Sequence, residues 1–141
     1  MLPYFRQFAS CTIAALLAVS VAGCGETTTP TLPTQPTTIS FSNALYPGGS
    51  AWRSIKVDDN AKVTVQFVSI FPQTTIATRL SFGNFDGTNC NLTQTVDTIT
   101  SATDPQITRD VTPGNYCVRI ADIGQVTQIA TFSVSIVITP S

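Results

Sequence analysis

"ATFSVSIVITP", residues 130–140, sets Phe132, Val134, Ile136 and Ile138 on one side and Thr131, Ser133, Ser135 and Val137 on the other. An apolar residue at every second position is the period of an extended chain, whose successive side chains point to opposite faces, and not the 3.6-residue period of a helix. The stretch is a strand with one buried face. Pro140, which has no N–H to give to a ladder, ends it.

The same period runs back along the chain to Ile39. "TISFSN" alternates at Ile39 and Phe41, and beyond the turn-rich "YPGGS" the stretch "WRSIKV" brings Ile55 and Val57 to one face. "DDNA" at 58–61 reads as a hairpin turn, followed by "KVTVQFVSI" with Val63, Val65 and Phe67 on a common side. "TIATRLSFGNF" contributes Ile76, Leu80 and Phe82 and runs into "DG", another turn signal. In the Thr-rich "NLTQTVDTIT" and "QITRDV" only Val96, Ile99, Ile107 and Val111 read as buried. "PGNYCVRIAD" is a turn and then Tyr116, Val118 and Ile120 on one face, which puts Cys117 on the other. With no helical pattern after residue 38, short strands at regular spacing predict an all-β fold over residues 39–141, an antiparallel β-sandwich, with a closed barrel as the alternative.

The chain has 141 residues, enough for one such domain, and 43% of them are hydrophobic, enough for a core. Only 11% are charged and the net charge is -1, with seven scattered Lys and Arg; a nucleic-acid partner would require clustered cations. Histidine is absent and Glu26 is the only glutamate, which removes Ser-His-Asp and Cys-His catalysis and the usual zinc sites. No cofactor is expected.

Residues 1–23 carry the parts of a cleaved export signal: one cation, Arg6, then the apolar "ASCTIAALLAVSVAG" with small residues at its end. The apolar run is shorter than the ~20 residues of a spanning helix. Its end, Val21, Ala22, Gly23 and Cys24, resembles the lipobox of bacterial lipoproteins. The resemblance implies cleavage before Cys24 and a diacylglyceryl thioether on its sulfur, with acyl chains of the palmitate kind. One chain holds a protein marginally, and each buried methylene adds about 0.8 kcal/mol, so about two or three chains anchor it firmly. The membrane partner is then reached through Cys24. The aspartate associated with inner-membrane retention is replaced by Gly25, which favours the outer membrane where a cell has one. Residues 24–38 form the lipidated start and a linker, "TTTPTLPTQPTT" at 27–38, too polar to bury a core and biased by its prolines toward an extended spacer of about 3.1 Å per residue.

The four cysteines have separate fates. Cys11 leaves with the signal and Cys24 takes lipid, so Cys90 and Cys117 remain as a pair in an oxidising compartment, where a disulfide is the default; two free thiols are the alternative.

From "SIKVDDNAKVTVQFVSI" through "RLSFGNFDG" to "PGNYCVRIADIG" and the last strand, the layout resembles the bacterial pre-peptidase C-terminal (PPC-like) domain. That resemblance implies a jelly-roll-like sandwich with a binding, stabilising or secretion-linked role. The family's Asp-x-Asp-Leu-Tyr-like stretch, sometimes linked to calcium, is replaced here by "TTIATRLSF", without an aspartate.

Asp58 and Asp59 beside Asn60 can be read as oxygen ligands for a hard cation or as a polar turn, and the turn is the simpler reading. "NFDGTN" at 84–89 offers Asp86, Thr88 and Asn89 around a glycine, but it has neither the spacing nor the closing glutamate of an EF-hand loop and reads as another turn. Tyr46, Trp52, Phe71 and Phe85 lie at strand ends or near turns, where such rings either cap the ends of a small core or stack on a ligand; Trp52, out of phase with Ile55 and Val57, points to the outer face, and it and Tyr46 are the candidates for stacking. Arg53, Arg79, Arg109 and Arg119 read as solvated outer-face charges.

The expected function is that of a non-catalytic lipoprotein of the cell envelope, presenting a disulfide-stapled sandwich to an envelope protein or a polysaccharide. The alternative is a carbohydrate-binding module built on Trp52 and Tyr46. A third reading, a hydrolase using paired aspartates, requires two carboxylates in one cleft.

Overall fold

A computed structural model describes residues 35–141. The expected signal, the lipobox-like stretch with Cys24 and the expected linker up to residue 34 lie outside the described residues. Eight strands follow: β1 (Thr37–Leu45), β2 (Ser50–Val57), β3 (Ala61–Phe71), β4 (Thr78–Phe85), β5 (Cys90–Thr98), β6 (Ile107–Val111), β7 (Gly114–Asp122) and β8 (Ala130–Pro140). β1 starts two residues before the alternation that begins at Ile39. No helix interrupts the described residues.

The strands form two antiparallel four-stranded sheets, in the orders β1-β8-β3-β6 and β2-β7-β4-β5. This interleaving of first with last, second with seventh, is the two-sheet jelly roll, a β-sandwich and not a closed barrel. The inner rows pack against each other. Val63, Val65, Phe67, Phe132, Val134 and Ile136 from one sheet face Leu80, Phe82, Val118 and Ile120 from the other, all buried. Phe41 and Phe132 meet edge to face, with centroids 5.0 Å apart. In β3 the register slips between Phe67 and Ser69; the extra residue, Val68, turns out to solvent, and the alternation resumes with Ile70 inside.

Two expectations are corrected. The "DDNA" turn at 58–61 is not a hairpin, because β2 and β3 belong to opposite sheets and the turn carries the chain from one layer to the other. Turn residues report a reversal of direction, not which strand becomes the neighbour. Ile99 is 56% exposed, because β5 is an edge strand that ends at Thr98 and leaves Ile99 in the connection beyond it.

Cys90 and Cys117 are bonded, with their Cα atoms 5.7 Å apart. They belong to β5 and β7, which β4 separates. The approach is made at Gly83, where β5 leans over β4: a Cβ there would lie 2.2 Å from the Asn91 carbonyl oxygen and 2.8 Å from Leu92 Cα. A register shift in β5, between the partners of Phe82 and Gly83, supplies the bend. Cys117 faces outward in the alternation, as expected, yet is fully buried.

Gly83→Ala should lower stability by at least about 1–3 kcal/mol in a urea titration, since backbone and not a flexible side chain blocks the new methyl group. An unchanged midpoint would contradict the crossing. Replacing both Cys90 and Cys117 with alanine opens a loop of sequence separation 27. That double variant should lose about 3–4 kcal/mol in the same assay.

Candidate functional site

On the outer face of the β2-β7-β4-β5 sheet, β2 alternates so that Ile55 and Val57 enter the core while Trp52 faces out, 45% exposed. Opposite Trp52 in the ladder stands Arg119 of β7. The Arg119 Nη2 donates to Ser50 Oγ at 3.0 Å, so the guanidinium lies along the same edge of the sheet as the indole. From β4, Phe85 reaches Trp52, the two rings 5.3 Å apart and tilted by 39°. Phe85 is also the last residue before the β4–β5 hairpin loop, so the ring pair ties that loop to β2.

The loop, Asp86–Asn89, is held by one carboxylate. Asp86 Oδ1 accepts from the backbone N–H of Asn89 at 2.7 Å and of Thr88 at 2.9 Å, and Oδ2 accepts from Asn91 Nδ2 at 3.1 Å. Gly87, at φ 99°, makes the turn that lets the backbone wrap around the carboxylate. These donors, the Asn89 and Thr88 amides first, hold the Asp86 carboxyl down at about 2. The loop is thereby fixed with Thr88 and Asn89 beside the indole. Ser50, Trp52, Thr88, Asn89, Cys90 and Arg119 together line an open pocket of about 290 Å³.

Asp122 organises the neighbouring end of the sandwich. Its Oδ2 accepts from Gly48 N at 2.7 Å, and its Oδ1 accepts from the amides of Gly124, Gln125 and Val126 at 2.8–3.0 Å. The β1–β2 turn, with its Gly49 N to Tyr46 O bond of 2.8 Å and Gly48 at φ 68°, is thus locked to the β7–β8 loop. Partial burial pushes the Asp122 carboxyl up, but the four amides outweigh it and the net displacement is downward.

The remaining sequence candidates are dispersed. Tyr46 is 59% exposed on the β1–β2 turn and does not line the Trp52 pocket, so the two expected stacking residues do not share a site. Arg53 is in phase with Ile55 and Val57, not on the outer face; because β2 is an edge strand, its guanidinium leaves sideways and reaches the Ser40 carbonyl at 3.4 Å. Arg79 forms a two-pronged pair with Asp97, at 2.7 and 2.9 Å, which lowers the Asp97 pKa. Asp58 is paired with Lys56 and, with Asp59, borders a second pocket of about 260 Å³ at the end of the sandwich among Ile39, Val57, Ala61 and Ile138. Among the described residues no three His, Cys, Asp or Glu side chains converge to hold a metal ion. The sequence does not mark Ser50 and Arg119 as site residues, and Thr88 and Asn89 read there only as part of a polar turn. Only the ladder partnership of Trp52 with Arg119 would have drawn attention to them, and that depends on register.

No protein-family model matches the chain, and no curated protein matches it in sequence. Among solved structures it is similar to the crystal structure of a Yersinia pseudotuberculosis-derived mitogen (YPM), with a TM-score of 0.50 and 12% identity over 76% of this chain and 88% of that one. At that identity the likeness is one of fold alone.

Asp86 and Asp122 both have depressed carboxyl pKa values in the folded protein, so unfolded chains, whose aspartates titrate near ~3.9, take up protons first as the pH falls. Their stabilisation is complete above about pH 5 and is lost on acidification, for Asp86 through about pH 2. Urea midpoints should therefore fall between pH 5 and about pH 2, and less steeply in an Asp86→Asn, Asp122→Asn variant. An equal slope in that variant would refute the assignment. Asp122→Ala, which leaves four amides without their acceptor, should cost about 1–3 kcal/mol at neutral pH.

Proposed function

We propose that this protein is a non-catalytic lipoprotein of the cell envelope: a lipid on Cys24, a Thr/Pro spacer, and a disulfide-stapled sandwich that presents a binding surface. The observation that carries the reading is the Cys90–Cys117 bond. It joins the two cysteines that remain once the signal cysteine and the lipobox cysteine are set aside, and such bonds persist in exported proteins and are rare in a reducing cytosol. A compartment beyond the inner membrane and an anchor at Cys24 are mutually consistent.

The binding role is supported by what the domain does with its polar groups. Asp86, Asp97 and Asp122, three of its seven aspartates, are committed to loops or to an arginine. Meanwhile an aromatic ring pair and an arginine stand on an outer sheet face that contributes nothing to the core. The PPC-like resemblance implies the same kind of role. The spacer would hold that face off the membrane, free to meet a polymer or an envelope protein.

Growing cells with radiolabelled palmitate should label the protein, and a Cys24→Ser variant should lose both the label and its place in the membrane fraction. Label retained by the variant sinks the anchor.

A further inference from the structure

We infer that the pocket beside Trp52 binds a sugar residue of an acidic polysaccharide, its ring laid on the indole and its carboxylate received by Arg119. The inference rests on the reading of the domain as a binding module and names what it binds.

A sugar ring has an apolar C–H face and a rim of hydroxyls, so its receptor needs an exposed flat ring with donors and acceptors around it. Trp52 is the only tryptophan of the chain, and it is placed where its ring serves no core. Phe85, on β4 beyond the central β7, meets the indole at 5.3 Å and buttresses it. Around it stand two hydroxyls, Ser50 and Thr88, and the Asn89 amide, each able both to donate and to accept. A volume of about 290 Å³ is at the lower end for ligand sites of about 300–1,000 Å³ and suits one ring.

Charge selects the acidic class. Among the described residues of the lining Arg119 is the only ionised side chain, and its guanidinium donates to the neutral Ser50 hydroxyl. Arg79 and Lys56, by contrast, are matched by Asp97 and Asp58. The nearest carboxylate on the hairpin, Asp86, has its oxygens occupied by backbone and amide donors. Arg119 therefore keeps donors of its planar fork for a carboxylate, the geometry a guanidinium recognises best.

The pocket is also rigid before any ligand arrives. Cys90 belongs to its wall and is bonded to Cys117 of the central strand β7, while Asp86 fixes Thr88 and Asn89. Little ordering is left to oppose binding, which matters for a shallow site.

The test is affinity electrophoresis of the detergent-solubilised full-length protein through gels containing polygalacturonate, alginate or hyaluronate, with dextran as the neutral comparison. At least one acidic polymer should retard the protein and dextran should not. Trp52→Ala should weaken retardation at least tenfold, Arg119→Gln should do the same, and Trp52→Phe should preserve most of it. Tyr46→Ala, outside the pocket, should behave as the parent. Urea midpoints of each variant separate loss of the site from loss of the fold. Retardation by none of the three acidic polymers, equal retardation by dextran, or an undiminished effect in Trp52→Ala would overturn the assignment. A protein that takes palmitate at Cys24 yet ignores all three polymers would lose this ligand and keep the anchored-module reading; one that binds them but takes no palmitate would do the reverse.

Discussion

The sandwich closes through β8. Its inward row, Phe132, Val134 and Ile136, is buried, and its two edges pair with β1 and β3, so strands drawn from opposite ends of the domain are held by one central strand. β7 has the same place in the other sheet, between β2 and β4. Every ladder except the β4–β5 hairpin joins strands that are not consecutive. Such a topology must close long loops before its apolar contacts reward it, so neither sheet has a stable local nucleus beyond that hairpin. The loops compensate with side chains that reach across the chain, as Asp122 does between Gly48 and Val126 and Gln73 does with Thr127.

The disulfide acts on the same problem from the outside. By bonding β5 to β7 over Gly83, it attaches the one local hairpin to the centre of its sheet. The missing side chain at Gly83 and the bond between Cys90 and Cys117 are therefore one device, because without the close crossing the cysteines would be two strands apart. The same crossing brings the tip of the hairpin beside Trp52. What stabilises the edge of the sheet thus also builds the wall of a pocket, which makes the outer face of this sheet, and not the sandwich end near Asp58, the place where aromatic, polar and cationic groups converge.

In the proposed function these parts have separate duties. The lipobox sets the address, the Thr/Pro spacer sets the reach, and the sandwich supplies a rigid surface whose recognition groups need no rearrangement. A shallow pocket for a single sugar ring binds weakly alone. A lipid-tethered protein presents many copies on one surface, and a polymer with repeated residues can engage several at once.

Much of this was legible in the residues, and the division has a physical cause. Alternation is a local property, so "ATFSVSIVITP" and "KVTVQFVSI" declared their strands, their buried rows and the all-β class, and the phase of Trp52 declared its outward direction. The pairing of Cys90 with Cys117 likewise followed from the kinds of segment around the cysteines. Sheet membership and register are non-local: "DDNA" has the composition of a hairpin whether the chain stays in its sheet or crosses to the other, and Ile99 is buried or exposed according to where its edge strand stops. The separation of Tyr46 from Trp52, the arrival of Arg119 and Phe85 beside the indole, and the need for glycine at position 83 were decided only by tertiary structure. Each depends on which backbone lies next to which, and pairing across dozens of residues leaves no periodic trace in the sequence.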